Sequence, residues 1–270
     1  MDILASVLDR AARGDALQPA ALTFLLRQYR TTGRQDICDA LGDALAAALA
    51  QHTDDRTTIA RAGWLNAFVE AAALTEDSRV GDAARALIAA LADEWPSIAF
   101  VDQATLSIDA CLAASHLVDP HALIPRAIDE LERVVAGAYR PGAGIAHTIG
   151  GSHSRGGLSD HVRTASALLT AYALSGRLPY SMLAEELMQA VTEHHTDFVL
   201  SCEAARVLCR LSALHDDDEY RRAAVIRADA NYRGDAGRIL EQLSARLADA
   251  ASDVALYALA LDEWRGGDLG

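Results

Sequence analysis

Histidines and carboxylates gather in one part of this 270-residue chain. His147 and His153 lie in a glycine-rich segment, and Asp160 and His161 follow it directly. Imidazoles change charge near neutral pH, so they can shuttle protons, bind a metal or line a polar pocket. Their spacing fits no tight zinc pattern, and no metal or other cofactor is expected. Asp160 and Glu203 are the carboxylates expected to do acid/base work, with His161 as a third catalytic candidate. His147, His153, Arg155, Arg61, Trp64, Asp102 and Gln103 are the expected ligand contacts. Plainer readings stand beside these. Asp160 fits a helix N-cap, and Glu203 fits an acid favoured by a helix dipole. The loop glycines, Gly142, Gly144, Gly150, Gly151, Gly156 and Gly157, either let backbone approach a ligand or simply make a mobile loop.

Residues so far apart in sequence meet only if helices carry them to one place. Apolar residues recur at helical spacing in Leu168, Leu169, Tyr172 and Ala173, then in Met182, Leu183, Leu187 and Val191. Between them Ser175-Gly176-Arg177 breaks the pattern, glycine ending one helix and Pro179 beginning the next. Similar breaks occur at Thr32-Gly33, Thr75-Glu76-Asp77, Val118-Asp119-Pro120 and His215-Asp216-Asp217. With one exception they fall about 40 residues apart, a period that means stacked or ringed helical hairpins.

Two classes of helix alternate under that rule. Inner helices, apolar or small almost all round, are expected to start near Pro19, Arg56, Asp102, Asp160, Val199 and Ser252. Outer helices are expected over 35–51, 78–94, 121–137, 179–194 and 234–249, with charged stripes such as Glu130 and Arg133. The sixth outer partner is the N-terminal helix, Asp2 to Ala12, packing beside the C-terminal helix. It closes a ring of six hairpins in one all-α domain over residues 1–270; an open solenoid is the alternative. The exceptional interval, Val118 to Gly176, exceeds the repeat by about 15 residues. Its surplus is the loop Tyr139 to Leu158, expected as a lid or wall over a central polar pocket.

Composition agrees and excludes. Apolar residues make up 51% and aromatics only 5%, with alanine and leucine, strong helix formers, in the lead. All 24 basic residues are arginine, so a P-loop lysine, a lysine Schiff base and a lysine general base are excluded. A net charge of −14 repels phosphate backbones and anionic bilayers, so neither nucleic acid nor membrane is an expected partner. Apolar runs such as Ala44 to Ala50 fall far short of the roughly 20 residues of a span. The start lacks a signal-peptide pattern, and Cys38, Cys111, Cys202 and Cys209 form no CxxC. A cytoplasmic location follows as the expectation, with a protein partner or homo-oligomer left open.

The stretch Leu158 to Arg177 resembles a recurring hairpin of the α/α-toroid proteins. It is most similar to the helical domain of thioredoxin-domain proteins related to spermatogenesis-associated protein 20. The shared pattern is a Leu-x-Asp start, a Leu-Leu-x-x-Tyr middle and a turn glycine, matched by Asp160, Leu168, Leu169, Tyr172 and Gly176. The match covers about 40 residues, one hairpin repeat. The resemblance implies an (α/α)6 toroid and a carbohydrate-like ligand, since toroids host glycosidases and sugar epimerases, alongside lanthionine cyclases and proteins of no known activity. Glycosidase- or epimerase-like chemistry on paired carboxylates is what it suggests if the chain is an enzyme. The chain departs from that family in lacking the thioredoxin-like domain and any CxxC, which speaks against a redox role.

Overall fold

Thirteen α-helices dominate the described residues of this computed structural model, namely 2–54, 56–151, 155–189, 191, 197–224, 230–250 and 253–266. They are α1 (Ile3–Ala12), α2 (Pro19–Thr32), α3 (Gln35–Gln51), α4 (Thr58–Ala72), α5 (Ser78–Glu94), α6 (Val101–Ala113) and α7 (Pro120–Ala138). After a hairpin of β1 (Tyr139–Arg140) and β2 (Gly144–Ile145) come α8 (Leu158–Ser175), α9 (Leu178–Gln189), α10 (Phe198–Asp216), α11 (Asp218–Ala223), α12 (Tyr232–Ser244) and α13 (Val254–Arg265). Single 3-10 turns follow α5 at Trp95–Ser97 and α6 at Ser115–Leu117.

Short local signals set these boundaries. Side chains of Thr57, Asp77, Asp119 and Asp197 accept backbone N–H bonds at the starts of α4, α5, α7 and α10, satisfying donors that a helix start leaves open. Gly33 and Gly176 end α2 and α8 in the left-handed conformation at φ 61° and 69°, where a side chain would be strained. Five of the six expected inner-helix starts fall within two residues of the observed ones; the sixth, Ser252, lies outside the described residues, just before α13. The outer helix expected to reach 194 is α9, which ends at Gln189, and residues 192–196 lie outside the described set.

The helices form the expected (α/α)6 toroid. Inner helices α2, α4, α6, α8, α10 and α13 each touch the next, and α13 returns to α2, so the ring is closed rather than a solenoid. Outer helices α3, α5, α7, α9 and α12 each pack against an inner one, and α1 completes the count by touching α13, α2 and α3. Alanine makes the close inner ring possible. Ala62, Ala67, Ala71, Ala104, Ala165, Ala167, Ala204 and Ala260 are fully buried, and small side chains let helix axes approach. The larger apolar residues, such as Leu25, Phe68, Leu91, Leu131 and Leu187, fill the layer between inner and outer helices.

The axis of the ring is polar. Arg27 on α2 bonds Glu70 on α4 and Glu263 on α13, each at 2.9 Å, while Arg206 on α10 reaches the same Glu263 at 2.8 Å. Asp109 on α6 accepts the hydroxyls of Ser166 and Thr170 on α8, which Arg210 on α10 also contacts. Arg206 is deeply enclosed by protein, yet its side chain keeps 33% of its surface accessible. A dry core would leave it none, so solvent reaches this part of the axis.

Candidate functional site

The site begins with Asp160, which lies in the first turn of α8 and is 1% exposed. It is not the N-cap that its position suggests, because α8 starts two residues earlier at Leu158. Gly157 occupies the cap position, and having no side chain it leaves its helix end to other donors and acceptors. Asp160 reaches back instead: Oδ2 accepts the Gly157 N–H at 2.8 Å, and Oδ1 accepts the Asp102 N–H at the start of α6 at 3.2 Å. One buried carboxylate therefore satisfies open donors of two inner helices. The third group on it is His147 Nδ1, 3.1 and 3.2 Å from the two oxygens.

The loop that carries His147 is shorter on irregular structure than its glycines imply. Tyr139 pairs with Ile145 and Arg140 with Gly144, and isolated bridges join Phe100 to Thr148 and Ala146 to Arg155. The His147 carbonyl accepts the Val101 N–H at 2.9 Å, so the loop itself caps α6. It lies across the starts of α6 and α8, at the end of the ring where the inner helices begin. His147 keeps 44% of its side chain exposed and rests on the Phe100 ring at 4.9 Å. If Nδ1 of a neutral ring donates to Asp160, Nε2 is the nitrogen left as an acceptor.

Arg163, one turn below Asp160, ties the mouth together. Its guanidinium donates to Asp102 Oδ2 and to Glu203 Oε2 on α10, each at 3.1 Å. Burial pulls Arg163 downward, but the charges of Glu203 and Asp102 outweigh it and hold the guanidinium above its ordinary value. Asp102 Oδ1 is buried without a hydrogen-bond partner, an acceptor that a water or a ligand hydroxyl would satisfy. Glu203 retains 23% side-chain exposure.

The fold thus brings Asp102, His147, Asp160 and Glu203 together, and adds Arg163, which sequence reasoning did not single out. His161 is turned away: its Nδ1 contacts the Gly157 carbonyl at 2.8 Å, and its buried Nε2 faces Gly144. Arg61 is drawn to Glu94 on α5 at 2.5 Å, and Trp64, 6% exposed, stacks on Phe68 at 5.9 Å in the core. Gln103 makes no side-chain hydrogen bond among the described residues, Arg155 is exposed beside the hairpin, and His153 lies outside the described residues.

Asp102, His147 and Asp160 each offer one ligand atom within 4.8 Å of the others, a spacing a cation could bridge. Such an ion would sit beside the Arg163 guanidinium and compete with the two N–H groups on Asp160. The donor set suits a hydrogen-bonded network better than a metal. Chemically, the mouth offers a histidine oriented by a buried carboxylate, two further carboxylates that accept hydrogen bonds, and a fixed guanidinium that donates them.

The class defined by this architecture is the (α/α)6 toroid, and solved structures agree. An unsaturated glucuronyl hydrolase from Bacillus sp. GL1 matches with a TM-score of 0.64 at 11% identity, over 85% of this chain and 74% of that one. An alpha-1,6-mannanase from Salegentibacter sp. HEL1_6 matches with a TM-score of 0.61 at 13% identity, over 84% of this chain and 77% of that one. An inactive variant of the same mannanase, in complex with alpha-1,6-mannotetrose, matches equally well. No protein-family model and no curated protein sequence matches the chain. The likeness is one of fold.

Proposed function

We propose that the protein binds a small carbohydrate-like molecule at the mouth of the ring. The observation that carries this reading is the convergence of Asp102, His147, Arg163 and Glu203 there, beneath a loop held against two inner-helix starts. Sugar hydroxyls both donate and accept, which suits carboxylates next to a guanidinium. The carbohydrate class draws support from the glycoside-processing neighbours by analogy of fold. Asp160 acts here as a positioning residue. Glycosidase- or epimerase-like proton transfer would fall to His147 Nε2 and Glu203, which stand nearer the open side. The kinship of the Asp160–Gly176 hairpin with the spermatogenesis-associated protein 20 relatives belongs to the same proposal and rests on sequence pattern. A cytoplasmic setting fits four free thiols.

A non-catalytic scaffold, or a helper subunit of a separately encoded enzyme, is the second reading. It is favoured by the axial ion pairs, which satisfy one another within the chain and need no ligand.

Thermal-shift and calorimetric titrations with alpha-1,6-mannotriose and an unsaturated glucuronyl disaccharide test the choice. Stabilisation of the native chain, lost in Glu203→Gln and in His147→Ala, is the expected result, because a ligand bound only to the folded state raises its stability. Absence of any shift, with both variants folded, would favour the scaffold.

A further inference from the structure

A cleft is lined by the β1–β2 hairpin and Arg155, and we propose that it binds the oxyanion group of an acidic sugar or sugar phosphate. It has a volume of 250 Å³, with apolar surface from Ala138, Ile145 and Ala146 and a rim made by Arg140 and Arg155. That is below the roughly 300–1,000 Å³ of drug-sized pockets, which limits the ligand to about one sugar ring. The sugar class rests on the reading above; the location and the charge preference do not.

Both arginines are fixed at the backbone. Arg140 pairs with Gly144 across the hairpin, and Arg155 bridges to Ala146, the residue after β2. The two guanidinium stems therefore flank one strand. Arg140 gives one N–H to the Tyr139 carbonyl at 2.7 Å, and neither arginine has a carboxylate partner among the described residues. In a chain with 38 acidic residues and 24 arginines, two such neighbours on one cleft form a local reversal of charge. Guanidinium forks match carboxylate and phosphate oxygens, and an apolar floor accepts the C–H face of a ring.

The wall between them is bare backbone for a physical reason. Gly144 has φ 80°, and a Cβ there would come within 2.7 Å of His161 Nε2. That imidazole is 4% exposed, and its Nε2 has no hydrogen-bond partner. Directly behind the cleft wall, then, lies an unclaimed buried nitrogen, which neither the mouth nor the core uses.

Isothermal titration at low ionic strength with glucuronate, glucose 6-phosphate, glucose and inorganic phosphate decides the matter. Glucuronate or glucose 6-phosphate should bind while glucose does not, and the better of the two identifies a carboxylate or a phosphate as the preferred group. Arg140→Ala and Arg155→Ala should each weaken binding about tenfold, as should added salt, which screens exposed charges. Both side chains are exposed, so melting temperatures should not change and loss of binding cannot be blamed on unfolding. Glu203→Gln should leave this binding intact while removing the neutral oligosaccharide at the mouth, so the two readings fail separately. Equal binding to native and arginine variants, no binding of either acidic sugar, or inorganic phosphate binding as tightly as the sugar phosphate would overturn the assignment.

Discussion

Two clusters of arginine and carboxylate occupy the toroid axis, and they are built to different degrees of completion. Toward the far end, Glu263 on α13 takes bonds from Arg27 and Arg206, and Glu70 takes bonds from Arg27 and Arg30. At the mouth, Arg163 is shared between Asp102 and Glu203, but Asp102 Oδ1 has no donor and His147 stands half exposed. The same chemistry serves two ends. A saturated cluster holds helices together, whereas one with an unsatisfied buried acceptor and an accessible imidazole has bonding capacity left over.

The largest expected effect breaks the saturated cluster. Glu263→Ala leaves two enclosed guanidinium groups without their shared carboxylate, and a loss of about 3–5 kcal/mol in denaturant unfolding is expected. The pH dependence should follow the same residue. Burial pushes the Glu263 carboxyl up, but Arg206 and then Arg27 outweigh it and hold it below its ordinary value of 4.5. A depressed folded-state value contributes stability above the unfolded one, and that contribution is lost as pH falls through the folded value. Acid titrations of native protein and Glu263→Gln should therefore show their full difference above pH 4.5, and that difference should shrink as pH falls from 4.5 through the depressed folded value.

The mouth should respond differently. Asp160→Asn removes charge from a carboxylate that closes two helix starts, and about 1–2 kcal/mol of stability should go with it by thermal melting. Glu203→Gln leaves Arg163 its bond to Asp102 and should cost about 1–2 kcal/mol while weakening mouth binding. A Glu203 variant as damaging as Glu263→Ala would erase the distinction between the clusters.

Smallest of all is a chemical test of the sealed interior around both. Burial pushes the Cys111 and Cys202 thiols up to about 12 and Cys209 to about 11. Only Cys38, the half-buried one, should react with a thiol reagent in native protein near pH 8, and all four after unfolding. Labelling of Cys202 in the native state would mean that the inner ring opens.

Much of the ring was legible because its signals are local. Proline at Pro19 and Pro120, glycine at Gly33 and Gly176, and acids at Asp77 and Asp197 act within one turn of the residue they cap. The loop surplus at Tyr139 was legible for the same reason, and it led to Asp160 and His147. Arg163 was not, because its partners Asp102 and Glu203 are 61 and 40 residues away. A signal did exist. Arg27, Asp109, Arg163, Arg206, Arg210 and Glu263 are charges inside helices that are otherwise apolar or small, and such residues must find partners when the helix is enclosed. Trp64 is the opposite case: near a helix start it suggested a ligand contact, but Phe68, one turn on, draws it into the core.

The seam between α2 and α13 also has a consequence in time. Arg27 and Glu263 stand 236 residues apart, so their contact closes a loop that spans nearly the whole ring. Such contacts bring their reward only after the intervening hairpins have stacked, whereas each hairpin can gain from its neighbour as soon as both exist. The seam should then be absent from the rate-limiting step of folding, and loosening it should accelerate unfolding while leaving refolding nearly unchanged. Arg27 and Glu263 in that case govern how long an assembled ring persists, more than how quickly one is made.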